Sequence, residues 1–321
     1  MGKATDLALP FPALGDREGD RVPPDLPGIV DTHVHVFPAP VFEALWEWFE
    51  KHAWPIRYKG SASELLEYLL NRGIRHIVAL QYAHKPGIAR DLNRYMLELC
   101  RKFSGRVTGL ATVFPGEADA ALILKEAFAA GLKGVKLHAH VQCFDMNGPD
   151  MESIYEVCSR SGKPLVMHVG REPKSESYRC DPYLLCGAEK LERVLQNHPD
   201  LRLCVPHLGM DEYAAYQRMT EAYDNLWLDT SVACADFLPA EQAPRLEEMR
   251  VDRIMYGSDF PNIPYAWDRE IKQVKNALIS KTSMAKIFGE NARQFYGLMD
   301  MENNEEWIER KKAPSHHSSC K

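Results

Sequence analysis

The most constraining feature of the sequence is a repeated alternation of short apolar runs with longer helical patterns. Eight runs rich in valine, isoleucine and leucine recur at residues 28–37, 74–82, 106–114, 134–141, 164–170, 201–209, 225–232 and 253–260. The segments between them carry apolar residues at helical spacing, and several end at a glycine, as helices commonly do. Strands that alternate with helices in this way predict βαβ units and a parallel sheet.

The number of these units favours a closed barrel. A (β/α)8 barrel typically takes about 250 residues, whereas the comparable open sheets have five or six strands. We therefore predict a single-domain α/β protein with a TIM barrel over residues 29–298. Residues 1–28 are rich in proline, which predicts an arm without regular structure that wraps the surface. Residues 299–321 lose the apolar period, which predicts a C-terminal tail.

Charge and hydropathy argue against several classes of partner. The chain has 39 Lys+Arg against 45 Asp+Glu, a formal net charge of −6, and no block of basic residues. It therefore lacks the electrostatic footprint of a protein that binds nucleic acid or an anionic membrane. No stretch approaches the roughly 18 apolar residues of a membrane span, and the first 28 residues lack the apolar run of a signal peptide. We expect a cytoplasmic protein that binds a small-molecule substrate.

The eight cysteines follow no recognised spacing. They are Cys100, Cys143, Cys158, Cys180, Cys186, Cys204, Cys234 and Cys320. With no Cys-x-x-Cys pair and no export signal, this pattern predicts mostly buried thiols instead of a disulfide framework or a zinc knuckle. Cys180 and Cys186 are the one close pair, and we favour thiols over a disulfide or metal role for them as well.

Residue types that bind metals stand at the ends of five predicted strands. They are His33 and His35 on the first, His138 and His140 on the fourth, His168 on the fifth, His207 on the sixth and Asp259 on the eighth. The C-terminal ends of barrel strands meet at one face, where active sites form. Side chains alternate along a strand, so His33 and His35 point to one side, as do Lys136, His138 and His140. One histidine at a strand end is commonly structural, but five such ends favour a site for a divalent metal.

Six segments also carry a family resemblance. They are DTHVH, GLKGVKLHAH, PLVMHVG, LCVPHLG, YGSDFP and IFGENARQFYGL. In this order they resemble the amidohydrolase-2 branch of the amidohydrolase superfamily, which includes metal-dependent hydrolases and aminocarboxymuconate-semialdehyde decarboxylase. The resemblance spans about residues 29–298. Barrels of this family are often homodimers, so the resemblance leaves a homodimer open.

The resemblance implies a metal site and two catalytic residues. It implies one divalent metal ion held by His33, His35, His168 and Asp259. It further implies that Asp259 orients a metal-activated water and accepts its proton. His207 would contact a second metal or move protons near the substrate. Three imidazoles and one carboxylate suit Zn²⁺ best, although Mn²⁺ or Fe²⁺ would also fit.

Three residues are candidates for contact with the substrate. Lys136 lies where binuclear family members carry a carboxylated lysine, but with one metal expected we favour an ion-pair or hydrogen-bond role inside the barrel. Arg171, on the loop after the fifth strand, could grip a substrate carboxylate. An exposed arginine paired with Glu172 is the equally open alternative. We expect His138, beside Lys136, to line the pocket.

The leading functional hypothesis is a metal-dependent hydrolase that cleaves an ester, lactone or amide bond of a small molecule. One alternative is nonoxidative decarboxylation of an unsaturated or aromatic carboxylic acid. Decarboxylases of the branch tend to have proline directly after the fifth-strand histidine, whereas Val169 follows His168 here, which favours hydrolysis. The other alternative is a noncatalytic barrel that binds a metal or ligand. The spare proton-transfer group His207 argues against it, because a structural zinc site needs none.

Overall fold

Eight short parallel strands, one from each predicted run, form the framework of the protein. They are β1 Val30–His35, β2 His76–Leu80, β3 Val107–Gly109, β4 Val135–His138, β5 Leu165–His168, β6 Leu203–Val205, β7 Leu226–Asp229 and β8 Ile254–Met255. The computed structural model describes residues 13–172, 175–237, 244–277 and 280–298. The first twelve residues of the predicted arm and the whole predicted tail, 299–321, lie outside these ranges.

The strands close into the predicted barrel. Hydrogen bonds join β1 to β3 in order and β4 to β8 in order, so every neighbour in each sheet is also the next strand in sequence. Two parallel bridges link these sheets, one between Ala111 and Val135 and the other between Val34 and Phe260. Sequential parallel order with closure at both seams is the arrangement of a (β/α)8 barrel.

Helices follow the strands and cover the outside of the barrel. Their bounds are α1 Ala39–His52, α2 Ala62–Asn71, α3 Ala89–Lys102, α4 Ala120–Ala130, α5 Ala139–Gln142, α6 Pro149–Arg160, α7 Pro182–Leu185, α8 Ala188–Asn197, α9 Tyr213–Ala222, α10 Arg269–Asn276, α11 Lys281–Ala285 and α12 Asn291–Tyr296. Short 3₁₀ turns occupy His207–Glu212, Leu246–Glu248 and Val251–Arg253, and a π-turn occupies Lys286–Glu290. No helix in the described ranges is long and apolar enough to cross a membrane.

Local sequence explains how these helices form. In α2, Ser61 accepts a hydrogen bond from the backbone of Glu64, whose side chain accepts one in return from the Ser61 backbone. This reciprocal cap satisfies donors that the first turn would otherwise leave free. Leu66 and Leu69 of the same helix are buried, which is the apolar stripe that a barrel helix turns toward the sheet.

Apolar residues form one large cluster and one small one. The large cluster takes side chains from both strands and surrounding helices, such as Ile77, Leu66 and Leu191. The small cluster contains other strand residues, such as Val166, together with residues of α12. Because side chains alternate along a strand, the large cluster is the layer between strands and outer helices, and the small cluster is the interior of the barrel.

The end of β4 differs from the sequence prediction. The run 134–141 was expected to be strand throughout, which would place His138 and His140 on one side. The strand instead ends at His138, and Ala139–Gln142 forms the helical turn α5. Gln142 stabilises this change of direction, because its side-chain oxygen accepts a hydrogen bond from the His138 backbone while its amide donates to Ala83. The position of the His140 side chain is therefore set by a helical turn and not by alternation along a strand.

The prediction of thiols without disulfides was wrong at one place. Cys143, at the end of α5, forms a disulfide with Cys180 on the loop after β5. The remaining described cysteines are free, and Cys158, Cys186 and Cys204 among them are buried as expected. A separation of 37 residues matches no short motif, so spacing could not have indicated this pair.

Candidate metal centre

The closest group of possible metal ligands lies where β1 meets the turn after β8. The Nε2 atoms of His33 and His35 are 3.2 Å apart, as the alternation along β1 predicts. Asp259 Oδ1 lies 3.3 Å from the first of these nitrogens and 3.1 Å from the second. We call His33, His35 and Asp259 the β1/β8 cluster. Ligands about 2.1 Å from one cation are about 3.0–3.4 Å from each other, so this group has the spacing of a metal site.

Two buried groups fix the orientation of His33. Asp229, the last residue of β7, accepts a hydrogen bond from His33 Nδ1 at 2.9 Å. Ser231 Oγ donates to Asp229 and lies 3.2 Å from the same nitrogen. We therefore assign the hydrogen of His33 to Nδ1, which leaves the lone pair on Nε2. That nitrogen is the one that faces His35 and Asp259.

His207 and His168 show the same arrangement. The Nδ1 atom of His207 lies 2.8 Å from the backbone oxygen of Ser231, which can only accept, so this nitrogen carries the hydrogen. The Nε2 atom of His168 donates to Glu172 at 3.0 Å. The remaining nitrogens, His207 Nε2 and His168 Nδ1, are 3.1 Å apart and both bear lone pairs. Two acceptors at this distance favour a cation between them.

A third group of possible metal ligands lies at the ends of β4 and β5. One ring nitrogen from each of His138, His140 and His168 lies within 4.8 Å of the others, and we call these residues the β4/β5 cluster. His138 and His168 are partners in the strand register, and their rings stack with centroids 3.9 Å apart. Stacked rings have parallel lone pairs, which do not converge on one ion. The predicted ligand His168 thus belongs to the β4/β5 cluster and lies beside His207, and it is not a member of the β1/β8 cluster.

Glu172 is a part of the site that the sequence analysis did not select. It is buried, with 8% of its surface exposed. Its two oxygens contact His168 Nε2 and His140 Nε2, each at 3.0 Å, and Tyr178 donates to it at 2.9 Å. Burial raises the pKa of Glu172, but the hydrogen bonds to His140 and His168 outweigh burial and hold that pKa well below its usual range.

Burial determines the charge of the histidines. It holds the pKa of His33 and of His138 well below the usual range, and it lowers the pKa of His168 to about 3. Neutral imidazole is the form that binds a metal ion, so these side chains are in the state that coordination needs. Burial also raises the pKa of Asp259, but the hydrogen bond and charge of His35 outweigh it and lower the pKa overall.

Lys136 lies inside the barrel. It is fully buried, and its Nζ is 3.4 Å from His33 Nε2, to which it donates. Burial lowers its pKa to about 8. Lys136 pairs in register with Val166 of the interior cluster, so its stem lies in the apolar layer beneath the histidines.

Arg171 is paired, but not with the residue that the sequence analysis considered. Its guanidinium lies 3.2 Å from Glu189 and 3.5 Å from Glu212, and a third of its side chain is exposed. The expected partner, Glu172, contacts the histidines instead. That Arg171 binds a substrate carboxylate therefore stays a prediction. The substrate would have to replace Glu189 and Glu212 as the partner of the guanidinium.

The turns that carry His207 and Asp259 have unusual backbone conformations. His207 and Asp259 have φ values of 57° and 60°, in the left-handed region that non-glycine residues rarely adopt. Asp31 holds the second turn, because it accepts hydrogen bonds from the backbone and the hydroxyl of Ser258.

The sequence analysis selected neither Asp229 nor Glu172. Asp229 ends a strand as His168 does, so its position in the sequence could have indicated it, whereas the position of Glu172 depends on the path of a loop.

Comparisons with known proteins agree with this fold. The family model described as Amidohydrolase matches residues 30–298. Among curated proteins none matches the chain significantly. A similar solved structure is a 5-carboxyvanillate decarboxylase from Novosphingobium aromaticivorans with bound manganese, at 19% identity over 84% of this chain and 96% of that one, with a TM-score of 0.59.

Two further structures are similar to the same extent. One is a probable 2-pyrone-4,6-dicarboxylic acid hydrolase from Acinetobacter baumannii, at 18% identity, with 84% of this chain and 100% of that one covered and a TM-score of 0.58. The other is a 2,6-dihydroxybenzoate decarboxylase, at 18% identity, 85% and 99% coverage and a TM-score of 0.61. At these identities the likeness shows the barrel fold, and it spans both hydrolysis and decarboxylation.

Proposed function

Because the chain belongs to the amidohydrolase family, we propose that it is a metal-dependent hydrolase that cleaves an ester, lactone or amide bond of a small molecule. The observation that carries the proposal is the convergence of possible ligand atoms from separate strands. His33 Nε2, His35 Nε2 and Asp259 Oδ1 lie 3.1–3.3 Å apart, which is the spacing of ligands around one cation. The lone pairs of His168 Nδ1 and His207 Nε2 face each other at 3.1 Å.

The spacing of the β1/β8 cluster suits one divalent cation, and His168 is the proposed fourth ligand from outside that cluster. His33, His35, His168 and Asp259 would hold it, and three imidazoles with one carboxylate suit Zn²⁺, with Mn²⁺ or Fe²⁺ as alternatives. Such an ion acts as a Lewis acid and makes water nucleophilic near neutral pH. The similar 5-carboxyvanillate decarboxylase structure contains manganese, which supports the proposal of a divalent ion.

Two side chains would then handle protons. The Asp259 side chain is 13% exposed, against 5% for His35 and none for His33, so Asp259 is the most exposed member of the β1/β8 cluster. It would orient the attacking water and accept its proton. His207, fixed through Nδ1 by Ser231, would direct Nε2 toward the developing charge or the leaving group.

Three residues would contact the substrate. The buried Lys136 would supply positive charge beside His33, and His138 would line the pocket beyond it. Arg171 would bind a substrate carboxylate after it leaves Glu189 and Glu212. These roles rest on position in the barrel and on the chemistry of each side chain.

Decarboxylation is the competing reaction, because two of the three similar structures are decarboxylases. A panel experiment separates the two. The full chain, loaded in turn with Zn²⁺ and Mn²⁺, is incubated with lactones and with hydroxybenzoates in water enriched in oxygen-18. We expect the label in a lactone product. Carbon dioxide release from a hydroxybenzoate without label in the product would overturn the hydrolase proposal.

The Asp259→Asn variant tests the proposed proton acceptor. We expect turnover to fall by at least about 100-fold, because general acid–base catalysis contributes about 10²–10⁴. Asp119→Asn is the matched control, since its carboxylate is about half exposed and pairs with Arg90 on the surface. Steady-state kinetics on the best substrate of the panel measure both. Unchanged turnover in Asp259→Asn would remove this residue from the mechanism.

A further inference from the structure

We propose that Glu172 is a positioning residue that determines which ring nitrogen of His168 faces the metal centre. The inference deepens the proposed function, since it explains how one predicted ligand is prepared for coordination. It concerns a residue outside the set His33, His35, His168 and Asp259.

The buried carboxylate of Glu172 contacts three side chains of the site. It follows β5 by four residues and is 8% exposed, so its carboxylate is withdrawn from water. One oxygen accepts from His168 Nε2 at 3.0 Å, and the other contacts His140 Nε2 at 3.0 Å and the Tyr178 hydroxyl at 2.9 Å. A buried carboxylate with three donors is well satisfied, which gives it one defined position.

This position has a chemical consequence for His168. A carboxylate accepts hydrogen bonds, so His168 must carry its hydrogen on Nε2, and the lone pair is then on Nδ1. Nδ1 is the nitrogen 3.1 Å from His207 Nε2. Without the carboxylate, the hydrogen could move to Nδ1 and point at His207, where it would block coordination. Partners of this kind commonly orient the histidine ligands of metals and raise their basicity.

The loop that carries Glu172 is held at its far end. Tyr178 stacks on Trp48 of α1, with ring centroids 5.4 Å apart. Two residues later, Cys180 is joined to Cys143, at the end of the helical turn that carries His140. The loop after β5 and the turn after β4 are therefore connected twice, through the carboxylate and through the disulfide. These two connections restrict movement of the Glu172 carboxylate away from His168.

The test uses three variants of the full chain. Glu172→Gln keeps the size of the side chain but gives it an amide, which donates as well as accepts. Glu172→Asp keeps the charge and shortens the reach. Glu212→Gln is the matched control, because Glu212 holds the same loop through the backbones of Arg171 and Ala188.

Nitrogen-15 NMR of the histidine rings reads the tautomer directly, without and with Zn²⁺, and His168→Gln assigns the signal. In the wild type we expect the hydrogen of His168 on Nε2. We expect it on Nδ1, or exchanging between both nitrogens, in Glu172→Gln, and unchanged in Glu212→Gln. A hydrogen on Nδ1 in the wild type would overturn the inference even if no variant folds.

Cobalt titration provides the second readout. The visible absorption of bound Co²⁺ reports affinity and ligand geometry, independent of any substrate. We expect Co²⁺ affinity about 10- to 100-fold lower in Glu172→Gln, as is usual when a partner of a metal ligand is lost. Glu172→Asp should recover part of this loss, and Glu212→Gln should bind like the wild type. An equal loss in Glu172→Gln and Glu212→Gln would reduce Glu172 to a loop anchor and overturn the inference.

The two readouts separate the proposals. If the wild type binds no Co²⁺ while the tautomer of His168 follows Glu172, the inference stands and the proposed metal-dependent function fails. If the wild type binds Co²⁺ and cleaves substrates while the tautomer ignores Glu172, the function stands and the inference fails.

Discussion

The β1/β8 cluster and the β4/β5 cluster contain the same kinds of residue but differ in what their nitrogens face. In the β1/β8 cluster, His33 Nε2, His35 Nε2 and Asp259 Oδ1 lie 3.1–3.3 Å from one another. In the β4/β5 cluster, Glu172 contacts a ring nitrogen of His140 and one of His168, each at 3.0 Å. The first cluster has the spacing of a cation site, whereas the second has a buried carboxylate as the acceptor for its hydrogens.

The difference shows that a count of histidines does not define a metal site. Both clusters are mostly buried, and both lie at strand ends of one barrel face. Hydrogen-bond partners behind the rings decide which nitrogen is free, because a carboxylate fixes the hydrogen on the side it contacts. Asp229 does this behind His33 so that the free nitrogen faces the centre.

The largest expected effect comes from removing ligands of the β1/β8 cluster. We expect His33→Asn combined with His35→Asn to lower the affinity for Mn²⁺ by at least about 1,000-fold, or about 4 kcal/mol. The reason is that two of the four proposed ligands are lost. Mn²⁺ bound per chain after dialysis, measured by elemental analysis, should fall from one to near zero.

The matching double variant of the other cluster sharpens the comparison. His138→Asn combined with His140→Asn changes as many buried histidines on the same face, and it should keep one Mn²⁺ per chain. Loss of the ion from this variant, with retention in the β1/β8 variant, would reverse the roles given to the two clusters.

An intermediate effect is expected when the disulfide near the β4/β5 cluster is lost. Replacing Cys143 and Cys180 by serine should lower the free energy of unfolding by about 2–4 kcal/mol, as is typical for a native disulfide. Metal binding at the β1/β8 cluster should persist, because the disulfide joins only the segments after β4 and β5. Urea unfolding with and without dithiothreitol measures the change.

The control for this experiment is internal. Dithiothreitol should destabilise the wild type and leave the double serine variant unchanged, since that variant has no disulfide to reduce. If the reductant has the same effect on both proteins, its action lies at other cysteines and the assignment of this pair is wrong.

The smallest expected effect is at Asp229, which supports the β1/β8 cluster from behind. Asp229→Asn should lower Mn²⁺ affinity by about 10- to 100-fold, because an amide fixes the hydrogen of His33 less firmly than a carboxylate. Calorimetric titration measures the affinity. Asp224→Asn, a mostly exposed carboxylate paired with Arg250, is the control and should bind like the wild type.

Much of the fold could be predicted because the pattern is regular. All eight strands lie within the predicted runs, although each is shorter than its run. The convergence of His33, His35 and Asp259 follows from one rule, that the ends of parallel strands meet at one face. What the rule cannot supply is the path of the chain beyond a strand end.

Most of the departures arise beyond strand ends. His140 was placed by strand alternation, but α5 begins one residue before it. Glu172 and Cys180 lie on a loop whose course depends on tertiary contacts, so their partners could not be found from spacing. Asp229 was missed for a different reason, since it ends β7 just as His168 ends β5 and carried the same positional signal.

The left-handed backbone at His207 and Asp259 has a consequence for stability. Such conformations cost a residue with a side chain on the order of 1–3 kcal/mol, and glycine avoids most of this cost. Glycine at either position would therefore relieve the backbone but remove the imidazole or the carboxylate. At these two turns, the most comfortable backbone and the proposed chemistry call for different residues.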